Sequence, residues 1–170
     1  YRHGRRSGVP LQEMLGRMDA AIAGLMGDTF VTALVGQLDV RTGRLSWLSA
    51  GHPAPVVVRD GGVLAPAQTP ALPLGLGLVD RDAADPEELS LQPGDRVLLY
   101  TDGVIEARSP NGEEFGLDRL HDLLVREAGS GLLAAEVLRR LVQACLQFQG
   151  GRLRDDATLL LVEWTGASSP

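Results

Sequence analysis

Two acidic motifs stand out as residues that could do chemistry. Asp102 follows Leu98-Leu99-Tyr100-Thr101 and precedes Gly103-Val104, and the pair Asp155-Asp156 precedes Ala157-Thr158-Leu159-Leu160-Leu161-Val162. Each motif sets a carboxylate at one end of a strongly apolar run. If the runs are neighbouring strands, their acidic ends share one edge of a sheet and offer oxygen ligands to a hard divalent cation. A carboxylate beside such a strand is costly to desolvate unless it is paired, hydrogen-bonded or bound to metal. Taken singly, each has a plainer reading, Asp102 as a turn residue ahead of Gly103 and Asp155 as a cap at the strand entrance. The two together, in this order, favour the cation site.

The runs must be strands for this to hold. Val97 to Tyr100 and Thr158 to Val162 lack the apolar/polar alternation of a strand with one wet face, which predicts that both are central and covered on both sides.

Other chemistries are excluded by composition. All 16 basic residues are arginine, so there is no phosphate-loop lysine, kinase lysine or Schiff base. There is no Gly-x-Ser-x-Gly elbow, the one cysteine falls in a helical pattern, and no histidine is placed to activate Ser46 or Ser49. Covalent catalysis is disfavoured accordingly. A net charge of −6 argues against nucleic acid as a partner, because such binding needs clustered cations. The one local basic cluster, Arg2, His3, Arg5 and Arg6, reads as a solvated chain end. No apolar stretch reaches the ~18 residues of a membrane span, and no signal-peptide pattern is visible. Cys145 has no partner for an internal disulfide, which fits a reducing, cytoplasmic setting.

The rest of the chain supplies the scaffold. Leu11, Leu15, Met18, Ile22 and Leu25 recur at helical spacing. Phe30 to Val40 reads as a strand, Arg41-Thr42-Gly43-Arg44 as a turn, and Leu45 to Ala50 as the partner strand. Val56 to Arg59 and Val63 to Ala65 flank Asp60-Gly61-Gly62, a hairpin turn that exploits glycine's tolerance of positive φ. Pro66 to Asp85 reads as an ordered surface loop; its glycines do not follow a strand and open a helix as a nucleotide-binding loop requires. Leu89 to Leu91 and Arg96 to Thr101 read as strands about the turn Gln92-Pro93-Gly94-Asp95. Ser109 to Gly116 is a polar, turn-rich stretch where substrate selectivity could reside, as in the loop before it. Leu117, Leu120, Leu123 and Leu124 mark one helix, and Leu133, Val137, Leu138, Leu141 and Cys145 a longer one ended by Gly150-Gly151. At 170 residues, with 44% hydrophobic residues and no repeat or linker, the chain reads as one domain over residues 1–170. Strands in hairpins with helices in separate blocks predict an α+β fold, a layered sandwich of antiparallel sheets flanked by helices.

Ser49-Ala50-Gly51-His52-Pro53, Leu91-Gln92-Pro93-Gly94-Asp95, Tyr100-Thr101-Asp102-Gly103-Val104-Ile105-Glu106-Ala107 and Asp155-Asp156-Ala157-Thr158 resemble the SpoIIE branch of the metal-dependent serine/threonine protein phosphatases, the type 2C superfamily. Order and spacing match from about Leu11 to Trp164. The family carries two further acidic motifs upstream, a Gly-Asp-Phe-Tyr-Asp-like strand and a Gly-Asp-Val-x-Gly-like loop, and nothing between Tyr1 and Thr29 matches them. The expectation is an N-terminally truncated α-β-β-α sandwich, with a sheet edge left open to self-association.

The resemblance implies hydrolysis of phosphoserine or phosphothreonine on a regulatory protein of the anti-sigma-factor antagonist type, in bacterial stress or sporulation signalling. It implies Mn2+ or Mg2+ as cofactor, with Asp102 and Asp155 in the positions of two metal ligands, Gly103 supporting them, and Asp156 first an orienting residue and second a ligand. Hydrolysis of a phosphomonoester dianion suits two metals about 3.5 to 4 Å apart, which activate water and neutralise phosphoryl charge. Asp28 and Asp39 are further carboxylates that could complete a cluster. His52 has two readings, a proton donor to the leaving oxygen or a hydrogen-bonded member of the Gly51-His52-Pro53 turn. His3 and His121 read as surface residues. Glu106 reads as a supporting carboxylate or an exposed one. The alternative function is a non-catalytic protein-binding module that keeps the fold without the metal cluster.

Overall fold

The computed structural model of the protein describes residues 9–26, 29–77, 85–128, 130–152 and 155–167. In chain order its elements are α1 (Leu11–Met26), β1 (Ala33–Asp39), β2 (Arg44–Ala50), β3 (Val56–Arg59), β4 (Gly62–Leu64), β5 (Glu87–Ser90), β6 (Arg96–Tyr100), α2 (Asp102–Ile105), α3 (Leu117–Ala128), α4 (Ala134–Phe148) and β7 (Leu159–Glu163). The chain divides into two compact units, Tyr1–Ala54 with Ala67–Leu91, and Pro55–Pro66 with Gln92–Pro170. The mixed α+β class with antiparallel sheets and flanking helices is as the strand and helix patterns predict.

In the first unit α1 lies on the antiparallel sheet β1-β2-β5. Leu11, Met14 and Leu15 on the helix are buried with Val35, Leu48 and Ala50 on the strands, and Met18 and Ile22 pack against them. The Leu25 side chain lies outside the described residues. Strand β1 is shorter than the Phe30 to Val40 run: Phe30 is 58% exposed and Val40, in the turn, 65%. Part of the loop from Pro66 is anchored in the core. Leu74 is fully buried and exchanges backbone hydrogen bonds of 2.8 and 2.9 Å with Val31, while the buried Asp19 carboxylate accepts the Gly75 N–H at 2.7 Å.

The second unit carries the sheet β4-β3-β6-β7, with α3 and α4 against it. Val56, Val58, Leu98 and Tyr100 from the strands share a core with Val104, Leu120, Leu124, Val137, Leu141 and Cys145. The β3–β4 hairpin forms where its residues predict, but its turn has two residues, Asp60 (φ 50°) and Gly61 (φ 76°), which both take the required positive φ, and Gly62 already pairs with Arg59 in the ladder. Burial pushes the Cys145 thiol up to about 11, leaving it inert rather than nucleophilic.

Three expectations are corrected. Strands β5 and β6 do not form a hairpin about Gln92 to Asp95: β5 pairs with β2 and β6 with β3 and β7. The turn residues are instead held by Asp95, whose carboxylate accepts the Gln92 N–H at 2.7 Å and takes the Arg59 guanidinium at 2.6 Å. Second, β6 is central but β7 is an edge strand among the described residues, with Leu160 52% exposed. Leu133, expected in the apolar stripe of α4, is its N-cap and 79% exposed.

Asp95 is only 2% exposed. Burial alone would raise its pKa, but the Arg59 and Gln92 hydrogen bonds outweigh that and hold it below the usual carboxylate value. A carboxyl whose folded pKa lies below its unfolded one contributes stability that is complete above the unfolded value and lost as pH falls through the folded one. The contribution of Asp95 is thus complete above pH 3.8 and should vanish under more acid conditions. Asp95→Asn should lower unfolding free energy by about 2–3 kcal/mol at neutral pH, and the deficit should shrink in denaturation curves recorded below pH 3.8.

Candidate metal centre

The two acidic motifs meet at one end of the β6–β7 ladder. Tyr100 pairs with Leu159 in the last rung, and Thr101 N–H donates to the Thr158 carbonyl at 3.1 Å one residue further on. There the backbone of β6 leaves the sheet and turns into α2, which begins at Asp102. The other strand arrives from Asp155-Asp156. Antiparallel pairing therefore delivers a carboxylate that follows β6 and two that precede β7 to a common edge, as neighbouring strands would require.

Close packing reinforces the juxtaposition. Gly103 is buried, and a Cβ built on it would run into the Asp156 carbonyl oxygen and lie 3.2 Å from the carbonyl carbon. Only glycine lets the two loops approach this far. It is the backbone of Asp156, not its carboxylate, that makes this contact.

The carboxylates themselves are exposed. Asp102 Oδ1 accepts the Gly103 N–H at 2.9 Å, and Asp155 Oδ1 accepts the Asp156 N–H at 2.8 Å. Each bond engages one carboxylate oxygen. A cleft of about 280 Å³ opens beside them, lined by Gly103, Glu106, Ala107, Arg108, Gln149 and Asp155. Glu106, the C-cap of α2, donates its N–H to the Asp102 carbonyl at 2.9 Å. Arg108 is held on the cleft wall by Glu114 and by a 3.1 Å bond to the Gly112 carbonyl. Nothing in the sequence marked Arg108 or Gln149, since a single arginine in a polar stretch and a glutamine at a helix end carry no spacing signal.

Hard carboxylate oxygens at a shared edge are the right chemistry for Mg2+ or Mn2+. The donor set is nevertheless open: among the described residues no three or more His, Cys, Asp or Glu side chains are grouped to hold one ion. The site fits a share of a cation's coordination shell, not the whole of it.

The remaining residues are placed as follows. His52 belongs to the first unit, where Ser49 Oγ donates to its carbonyl at 2.7 Å and accepts its N–H at 3.0 Å. Gln68 also donates to that carbonyl at 2.8 Å, and Nδ1 lies 3.3 Å from Thr32 Oγ1. Gly51 takes φ +69° with Pro73 packed against it. Ser49 and Gln68 bind the backbone of the turn, and Thr32 contacts the imidazole. Asp39 accepts the Arg41 N–H at 2.9 Å across the β1–β2 turn, which lowers its pKa. Asp28 and His3 lie outside the described residues. His121 is half-buried on α3, with Nε2 shielded from solvent, rather than a surface residue.

Comparison with known proteins gives a consistent set of likenesses. The family described as Stage II sporulation protein E (SpoIIE) matches residues 1–165. The chain is similar to Protein IcfG of Synechocystis sp., 29% identical over 136 residues that make up 78% of this chain and 20% of IcfG. It is similar in structure to the RsbU and RsbW domains of Rv1364c from Mycobacterium tuberculosis, with a TM-score of 0.81 and 27% identity over 99% of this chain and 47% of that one. It is also similar to the SiaA-PP2C domain of Pseudomonas aeruginosa, with a TM-score of 0.72 and 26% identity over 88% of this chain and 59% of that one. The chain thus spans a fifth of the first of these relatives and roughly half of the other two.

Proposed function

The chain belongs to the SpoIIE family, whose relatives are PP2C-type phosphatases, and on that premise we propose that it contributes the Asp102 and Asp155 half of a metal-dependent phosphoserine/phosphothreonine phosphatase site. The observation that carries the proposal is the meeting of Asp102 with Asp155-Asp156 at the end of the β6–β7 ladder, locked by the contact between Gly103 and the Asp156 carbonyl. When bound, Mn2+ or Mg2+ would supply Lewis acidity and activate water.

The protein's own residues have separate roles in this reading. Asp102 and Asp155 offer carboxylate oxygens, while Gly103 and the Asp156 backbone set their spacing. His52 supports its turn. The substrate is a phosphorylated regulatory protein of the anti-sigma-factor antagonist type, the setting is cytoplasmic, and nucleic acid is not a partner. No helix among the described residues is long and apolar enough to cross a membrane.

The open donor set favours a second reading, a protein-binding module that retains the fold without turnover. Manganese separates the two. The full-length protein should release phosphate from a phosphoserine protein only with Mn2+ or Mg2+ present, and chelation by EDTA should stop it. Binding of the phosphoprotein with no metal-dependent release would favour the module.

The 170-residue chain should bind Mn2+ weakly, because Asp102 and Asp155 offer roughly two or three of the six oxygens that such an ion takes. Two adjacent dications repel strongly unless a carboxylate bridges them, so one hydrated ion is the expected occupancy. Isothermal titration should find a single weak site abolished by Asp155→Asn. Two tight sites would show that other carboxylates complete the cluster.

A further inference from the structure

Thr101 stands where an N-cap belongs, immediately before α2, with φ −89° and ψ 157°. A threonine there ordinarily turns its hydroxyl onto the first amides of its own helix. This one makes no such bond. Its Oγ1 instead accepts the N–H of Thr158, on the opposite strand, at 2.9 Å.

The backbone explains the diversion. In an antiparallel ladder a hydrogen-bonded pair exchanges two bonds, N–H to carbonyl in each direction. Thr101 N–H donates to the Thr158 carbonyl at 3.1 Å, but the Thr101 carbonyl is already committed to the Val104 N–H at 3.0 Å, the bond that starts α2. The return bond would be missing. The hydroxyl takes the place of the carbonyl and adds one more rung just where β6 leaves the sheet.

We propose that Thr101 is a positioning residue, its hydroxyl holding the Asp155-Asp156 segment in register with Asp102. This rests on the reading of Asp102 and Asp155 as cation donors. Thr101 adjoins Asp102 and Thr158 lies two residues from Asp156, so the rung sits between the two acidic motifs. Beside it, the Thr101 N–H bond to the Thr158 carbonyl, the Gly103 contact and the packing of Ala157 on the core hold the segment that bears Asp155. A shift of an ångström between two donors weakens a shared ion well before it unfolds a sheet.

Thr101→Val tests the idea because valine keeps the branched shape and favours the extended backbone found here, but cannot accept the bond. Thr101→Ser restores the acceptor. Amide hydrogen exchange at Thr158, read by NMR in the metal-free protein, should be roughly tenfold faster in Thr101→Val and near normal in Thr101→Ser. Manganese-dependent turnover of p-nitrophenyl phosphate by the full-length protein should fall about tenfold or more in Thr101→Val, with recovery in Thr101→Ser, as for other partners that orient metal ligands.

Unchanged exchange at Thr158 would overturn the rung. Faster exchange with unchanged turnover would leave the rung standing as ordinary sheet structure and overturn the positioning role. Asp102→Asn run in parallel keeps the two readings apart: if it abolishes turnover while Thr101→Val does not alter it, only the role of Thr101 fails. If both variants turn over normally, the cation-donor reading itself fails.

Discussion

Asp102→Asn should abolish manganese-dependent hydrolysis of p-nitrophenyl phosphate by the full-length protein while leaving its melting temperature nearly unchanged. The two halves of this expectation rest on different atoms of the same side chain. Asp102 Oδ1 accepts the Gly103 N–H at 2.9 Å, and an asparagine oxygen can accept the same bond, so the turn into α2 survives. The carboxylate is exposed, so replacing it buries no unsatisfied group. What asparagine removes is the negative charge and the strong donor that a hard cation requires. Lewis-acid stabilisation amounts to several kcal/mol of barrier, so turnover should fall on the order of 10²-fold or more. Thermal melts with and without Mn2+ give the control, since the metal-dependent rise should vanish with the activity. Retained hydrolysis would remove Asp102 from the site.

How much of this site could be read in the chain follows from what kind of information each feature needs. The pairing of the two acidic motifs was legible because it depends on local pattern, an apolar run with a carboxylate at one end, and on two such runs becoming neighbours. The Asp60-Gly61 turn was legible for the same reason, since its positive φ angles narrow the residues that can sit there. Partner choice was not. Gln92-Pro93-Gly94-Asp95 carries every mark of a hairpin turn, yet the strands on either side pair with β2 on one hand and with β3 and β7 on the other. A turn sequence specifies a change of direction, and burial elsewhere decides which strand lies alongside. The partly buried Arg59–Asp95 pair beside this turn joins residues 36 apart, beyond the reach of any local rule.

The apolar run Leu159 to Val162 misled for a related reason. Four apolar residues in succession predict cover on both faces, but they say nothing about whether a strand has two neighbours or one. Strand β7 has β6 on one side, and Leu160 is half exposed. Thr101 was hidden more deeply still. Its position before Asp102-Gly103 reads as an N-cap, but its hydroxyl accepts the Thr158 N–H while the carbonyl beside it accepts from Val104 in α2. Competition between two hydrogen bonds at a strand-to-helix junction has no signature in residue type.

Gly103→Ala should disable the candidate site at a modest cost in stability. The added methyl would run into the Asp156 carbonyl oxygen and come within 3.2 Å of its carbon, with Ala157 Cα 3.7 Å away. All three are backbone atoms, so no side chain can rotate out of the way. The Asp156 segment cannot retreat freely either, because Thr158 is tied to Thr101 by bonds of 2.9 and 3.1 Å. Relief must come from parting the two loops or bending the turn, and overpacking of this kind costs about 1–3 kcal/mol. The consequence for function exceeds the consequence for stability, since parting the loops separates Asp102 from Asp155 before the core is touched. Gly24→Ala is the matched control: Gly24 lies within α1, and a methyl added there would meet nothing within 4 Å, so alanine should stabilise the helix by roughly 0.5–1 kcal/mol. Urea denaturation should therefore shift the midpoint down for Gly103→Ala and up for Gly24→Ala, and manganese-dependent turnover should be lost in the first and kept in the second. Normal turnover in Gly103→Ala would mean that the two loops do not need this spacing, and the half-site assembled from them would have to be abandoned.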